Sequence, residues 1–144
     1  MILLQKPVTG YMKVIIIILL LFIGLILHAQ LAVEVLPIKM SAQKAIVPLK
    51  LKNNLSNRIE AARAVCFLLD ENGKVVAQAT HWVVGQKTPR LDPQKEATFN
   101  FVVTGSQPFL TTNLTAKVSI TRLTLATNII GDIKKDVVIT TAQN

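Results

Sequence analysis

The sequence predicts an all-β fold: an antiparallel β-sandwich of about seven short strands, preceded by an N-terminal hydrophobic signal segment. Three observations predict it. Beyond residue 30, apolar side chains recur at a spacing of two, the strand period, and not at the three and four of a helix. Turn-forming glycine, proline, asparagine and aspartate punctuate the chain every 8–12 residues or so, as in small sandwiches. Valine, isoleucine and threonine, which suit half-buried pleated surfaces, supply much of the alternation.

The leading segment differs in kind. Residues 14–27 read VIIIILLLFIGLIL, without a charge, after Met12-Lys13 and before HAQLAVEV. A basic start, a short apolar run and a small residue beyond it make a secretory signal. Leu27, His28 and Ala29 occupy the positions before a cut, so cleavage is expected after Ala29. Ala32 is a second possible site, and Met12 a possible true start. A membrane span needs about 20 apolar residues. The run is shorter, and only a weak extension through Leu31 to Val35 offers the alternative, an uncleaved anchor over residues 14–35. The chain therefore divides into a signal peptide, 1–29, and a sandwich domain, 30–144. An extracytoplasmic location, periplasmic or secreted, follows. Contact with a membrane is expected only through an uncleaved N-terminal segment.

Of 16 basic residues, Lys6 and Lys13 leave with the signal, so 14 face 8 acidic ones and the net charge is about +6. The bases are scattered singly, apart from Lys134-Lys135, and few aromatic rings accompany them. That is the pattern of solvated strand faces, not of a nucleic-acid site. Cys66 is the one cysteine, so no internal disulfide forms despite an oxidising compartment. A core must hold the domain, and about 115 residues suffice for one.

The opening strand is expected at 31–38. In residues 46–52, IVPLKLK, Val47, Leu49 and Leu51 share one face and Lys50 and Lys52 the other. Pro48 lacks an amide donor, which places this strand at an edge or beside a bulge. Residues 60–69 are apolar on both faces, with Val65, Phe67 and Leu69 on one and Ala64, Cys66 and Leu68 on the other, as in a central strand. DENG at 70–73 turns the chain back into KVVAQATHWVV, with Gly73 free to take a positive φ. A loop, 85–95, carries Pro89 and Pro93. Then EATFNFVV sets Phe99, Phe101 and Val103 on one face. After a loop around Pro108, LTAKVSITRLTL alternates through Ala116, Val118 and Ile120. ATNIIGD reads as a turn region, and IKKDVVIT as the last strand.

The series LKLKNN (49–54), AVCFLLDENGKVVAQA (64–79) and LDPQKEATFNF (91–101) is similar to bacterial FxLYD-type domains, akin to the LEA14 fold. The resemblance covers roughly residues 45–122. Asn53, Asp70, Gly73, Pro93 and Phe99 stand where that pattern has its turn and core residues. Cys66 and Leu69 replace the aromatic positions of the naming motif, and Gln94-Lys95 replaces the usual Gly-Glu after the proline. The resemblance implies an immunoglobulin- or fibronectin-like sandwich, exported and non-enzymatic, and no catalytic residue. The same residues have physical uses. Asn53 and Asp70 hydrogen-bond nearby amides and fix turns, Pro93 presets a tight turn, and Phe99 brings a large area to bury.

Chemistry is sparse. Cys66 and His81 lie on the two arms of one hairpin and could be sheet neighbours, but a thiol in an apolar strand is a small hydrophobe unless a base meets it. His81 and Trp82 alternate faces. An inward Trp82 would be the core indole, the reading its size favours; an outward one would be a contact for a partner or sugar. Arg90, in the 85–95 loop, is a second candidate contact. No catalytic, metal or cofactor site is expected, since histidines, cysteines and acids are not grouped and no phosphate loop or Ser-centred elbow is present. The function expected is an interaction or structural module that meets a protein or cell-surface polymer through an edge strand or the loops at 85–95 and 104–113. The alternatives are a carrier of a small apolar ligand between the sheets and, more remotely, a thiol-dependent enzyme using Cys66 and His81.

Overall fold

The structure is a computed structural model and describes residues 29–142. The signal reading for residues 1–28 lies outside the described residues. Two sheets form the domain. The first contains β1 (Leu31–Val35), β2 (Lys39–Ser41), β3 (Lys44–Asn53), β6 (Glu96–Thr104) and β9 (Val137–Thr141). The second contains β5 (Val75–Val84), β4 (Ile59–Leu69), β7 (Thr115–Leu125) and β8 (Ile129–Ile130), in that order. All pairings are antiparallel except β1 with β9. The all-β sandwich expected from the alternation is the architecture found.

Alternation builds the core. Ala45, Val47, Leu49 and Leu51 of β3 are fully buried, as are Leu31, Phe101 and Val103 of its sheet, with Val33 and Val35 almost so. From the other sheet come Ala62, Ala64, Cys66 and Leu68 of β4 and Val118, Ile120, Leu123 and Leu125 of β7. The small side chains of β4 leave the interior volume to the larger ones of β1, β3 and β6. Each buried Val, Leu or Phe contributes about 1.5–3 kcal/mol, which holds the domain without a disulfide. Phe99 is half-buried; Phe101 is the largest fully buried side chain. The aromatic anchor expected at 99 sits two residues along.

β4 is central as expected, flanked by β5 and β7; its inward face is buried and its outward face, Val65, Phe67 and Leu69, is half-buried. β3 corrects an expectation, because it is not an edge strand. It pairs with β6 on one side and with β1 and then β2 on the other. Pro48 is accommodated by its partner. The Pro48 carbonyl accepts from Leu36 N at 2.9 Å, so the missing amide faces the same side. That point is where β1 stops and the chain slips by one residue before β2 resumes the ladder, from Val35↔Leu49 to Lys39↔Ile46. The donor that proline lacks therefore breaks the neighbouring strand and leaves β3 whole.

The C-terminal stretch is a second correction. Ile133–Asp136, read as strand, forms a single helical turn, α1, whose Asp132 cap accepts from Lys134 N at 3.0 Å. Ile129–Ile130, read as turn, pairs with β7. The chain thus leaves the second sheet at β8, passes through α1 and enters the first sheet as β9. One pole of the sandwich carries the turns at 42–43 and 70–74 and the 105–114 loop. The other carries Gln30, 54–58, 85–95 and 126–136.

Candidate functional site

Two loop-bearing poles and one seam hold the candidate residues. At the Gln30 pole, Asn53 is completely buried yet fully used. Its side-chain amide donates to Asn57 O at 2.9 Å and Leu91 O at 3.0 Å, and its Oδ1 accepts from Leu55 N at 2.9 Å. Its main chain adds Asn53 N to Lys95 O, 3.0 Å, and Gln94 N to Asn53 O, 2.7 Å. One residue thereby ties the end of β3 to the 54–58 and 91–95 loops. Pro93 and Gln94 are the middle of a turn closed by Lys95 N on Asp92 O at 3.1 Å, with Gln94 at φ 65. That left-handed position is one that favours glycine.

Arg90 is mostly exposed, but its Nε lies 2.7 Å from Glu60 Oε2, and Arg58 holds the other oxygen of Glu60 at 2.7 Å. The guanidinium pins the loop to β4. The loop itself is tight: Thr88 N and Oγ1 both donate to Gly85 O, at 2.9 and 2.7 Å, and Gly85 and Gln86 have φ of 77 and 56. A side chain at Gly85 would collide with Glu60 O. Rigid presentation of Gln86 and Lys87 results.

Trp82 is half-buried and absent from the core. It opposes Arg63, an exposed position, so its ring leaves the sheet outward; the core-indole reading is corrected. His81 is the inward-facing neighbour, opposite buried Ala64. It reaches the seam between the sheets, where Nε2 meets Val102 O at 3.0 Å and the ring packs edge-on against Phe101, 4.7 Å between centroids. Trp82, His81, Phe99, Gln86, Lys87 and Thr88 line a surface groove of about 340 Å³.

Cys66 does not meet His81. It opposes Ala79, is fully buried, and desolvation pushes its thiol up to about 11. A thiol so protonated is no nucleophile at neutral pH. Among the described residues, no three His, Cys, Asp or Glu side chains are placed to hold a metal ion, and no helix is long and apolar enough to cross a membrane.

The opposite pole holds what the residue types did not announce. Asp70 Oδ1 accepts from Asn72 N and Lys74 N, both at 2.9 Å, and Gly73 takes φ 75. Against this rigid turn lies the 105–114 loop, held on both flanks. Gly105 N donates to Gln43 O at 2.8 Å, Phe109 N to Ala42 O at 3.1 Å, and Thr111 Oγ1 to Glu71 Oε1 at 2.8 Å. Between these clamps Leu110 stands wholly in solvent, with Val75 and Val76 also exposed. Leu110, Phe109, Pro108, Val75, Val76 and Lys74 border a groove of about 330 Å³. The apolar pair Phe109-Leu110 inside an otherwise polar loop is the signal that sequence reading passed over. Comparison with protein-family models, with curated proteins and with solved structures gives no match for this chain.

Proposed function

We propose that this chain is an exported, non-catalytic sandwich of the immunoglobulin- or fibronectin-like type, as the FxLYD-type resemblance implies, that binds a protein partner through the pole carrying Leu110. The observation that carries this reading is a leucine held fully exposed by a loop hydrogen-bonded on both sides. Apolar side chains on the surface are ordinary singly; a cluster fixed in place beside a groove marks a contact. Leu110, Val75 and Val76 offer area to bury and few polar groups to order a polysaccharide, so a protein fits better than a polymer. The buried Cys66, which opposes Ala79 and not His81 and whose thiol burial keeps protonated, supports a non-enzymatic role. Leu31–Val35 is spoken for as a buried strand, which shortens any membrane anchor to the residues before it and supports processing at Ala29.

A photo-crosslinking side chain placed at 110 in the producing cells should give a discrete protein adduct. The same probe at Lys95, on the other pole, should not. Equal adducts at both positions, or none at 110, would refute the assignment.

The Trp82 groove supports a second reading, contact with a surface polymer, because an outward indole beside Gln86, Lys87 and Thr88 offers a stacking face with donors around it. Trp82 is the one tryptophan. Its fluorescence should change on adding cell-surface polymer; an unchanged spectrum removes this reading.

A further inference from the structure

We propose that β9 is the interface of a symmetric homodimer in which the β9 strands of two copies pair antiparallel, joining their first sheets into one. The inference is independent of the Leu110 pole.

A sheet edge exposes unpaired amides and carbonyls, and proteins guard such edges with charge, proline, bulges or a covering group. Among the described residues, β2 is a three-residue edge bearing Lys39, and the flank of β7 beyond β8 belongs to a strand bearing Lys117 and Arg122. Three further edges are guarded. On β6, His81 occupies the Val102 carbonyl and β5 lies alongside. β5 carries register irregularities at both ends of its pairing with β4. β8 is only two residues long. β9 has none of these protections. Its five residues, Val137-Val138-Ile139-Thr140-Thr141, are all β-branched, with no charge, proline or glycine. That composition is the one most suited to accepting another strand.

The ladder with β1 fixes which groups are unpaired. Ala142 N donates to Val35 O at 2.9 Å, so Ala142 faces β1, and alternation places Thr140 and Val138 the same way. The main-chain groups of Ile139 and Thr141 and the carbonyl of Val137 then face away, and β9 pairs with no second strand among the described residues; the Val137 amide belongs to the i→i−4 bonding of α1. Only backbone satisfies a row of alternating donors and acceptors, so the occupant is an extended strand.

Symmetry selects a second copy. The outward set is centred on Ile139. Run antiparallel about a two-fold axis there, Ile139 meets Ile139 of its mate, and Val137 meets Thr141 in both directions. The Ile139 amides and carbonyls find each other, the Thr141 amides find the Val137 carbonyls, and no like charges are brought opposite. The exposed side chains nearby agree. Val138 on β9 and Ile129 and Ile130 on β8 are exposed, and β8 and β9 are the last strands of the two sheets on this side.

The test is sedimentation equilibrium of the exported protein, purified as its cells process it, over a range reaching about 100 µM. The wild type should be a dimer at the top of that range and dissociate on dilution. T141P removes an outward amide at an exposed position without touching the β1 ladder. V138K/T140K leaves the main chain intact and sets like charges across the two-fold axis. Each should weaken the dimer about tenfold or more, equivalent to about 1.4 kcal/mol, with circular dichroism unchanged. L110D should dimerise as the wild type does. A wild type that stays monomeric throughout overturns the proposal. So does a V138K/T140K variant, folded by circular dichroism, that dimerises with unchanged affinity; this second variant decides the matter if T141P does not fold.

Discussion

The Asn53 side-chain amide donates to the main-chain carbonyl of Leu91 at 3.0 Å, across 38 residues of chain, inside the domain. The same carbonyl accepts from Ile59 N at 2.9 Å, so one oxygen joins the end of β3, the start of β4 and the loop before β6. Removing the amide leaves the Asn57 carbonyl and the Leu55 amide without their partners. A buried polar group so stranded costs about 1–3 kcal/mol. Asn53→Ala should therefore lower stability by about 2–4 kcal/mol, read from urea midpoints. Asn53→Asp should do at least as badly despite its matching shape, because a carboxylate would face two carbonyl oxygens. An aspartate variant as stable as the wild type would show that the amide donors contribute nothing.

Backbone geometry gives predictions of opposite sign. Gln94 sits at φ 65, where a side chain costs about 1 kcal/mol that glycine avoids. Gln94→Gly should raise stability by about 0.5 kcal/mol after the extra freedom of the unfolded chain is counted. Gly73 and Gly85 share nearly the same positive φ, but only Gly85 faces an obstacle, the Glu60 carbonyl. Gly73→Ala should cost about 1 kcal/mol, from conformation alone. Gly85→Ala should cost roughly 3 kcal/mol or more, since strand β4 must shift as well. Thermal denaturation of the three variants side by side should rank them in that order; equal losses for the two glycines would show that β4 yields freely.

What the sequence discloses and what it hides follow from the range of the interactions. Strands β3, β4 and β7 are legible because one face of each is buried, and burial writes itself into alternation. The Asp70–Gly73 turn is legible because its hydrogen bonds span four residues or fewer. Asn53 announces a turn by type, but its partner Leu91 is set by packing and cannot be read locally. Pro48 misleads for the same reason: its missing donor points to an edge, whereas the neighbouring strand absorbs the gap. IKKD has strand-like neighbours, and the reciprocal bonds of Lys134 N to the Asp132 carboxylate and of Asp132 N to the Asp136 carboxylate tip it into a helical turn. Trp82 looks like core by size, yet its opposition to Arg63 turns it outward. Leu110 lies in a loop, where no period exists to mark it.

Cys66 yields a pH prediction. Burial raises its thiol from an ordinary value near 9 to about 11. Below pH 9 the thiol is protonated in both folded and unfolded chains and adds no pH dependence. Above pH 9 the unfolded chain releases its proton while the folded one retains it, so stability falls as pH rises. The loss is complete near pH 11 and amounts to about 2–3 kcal/mol. Cys66→Ala should be less stable at pH 8 but should lack this part of the alkaline decline. The wild-type-minus-variant difference in urea midpoint, followed from pH 8 to 11, isolates the thiol from the lysines. A difference that stays flat would mean the thiol ionises in place, and a thiol reagent should then label the folded protein at pH 9.

The proposed cut after Ala29 is the one that β1 tolerates. Leu31 is fully buried and pairs with both Asn53 and Val137, while the Gln30 carbonyl accepts from Asn54 N at 2.9 Å and its side chain donates to Lys135 O at 2.9 Å. A cut after Ala29 preserves all of these. A cut after Ala32 removes them, shortens a five-residue strand to three, and takes a leucine out of the core. Removing that leucine alone is worth about 2–5 kcal/mol, a large part of the stability of a domain this size. Amino-terminal sequencing of the exported protein should therefore read Gln-Leu-Ala-Val. A protein engineered to begin at Val33 should unfold at much lower urea and be degraded in its compartment. Recovery of a stable, abundant form beginning at Val33 would mean that β9 holds to the sheet through Val33–Val35 alone, and that the first two residues of β1 are not what maintains the fold.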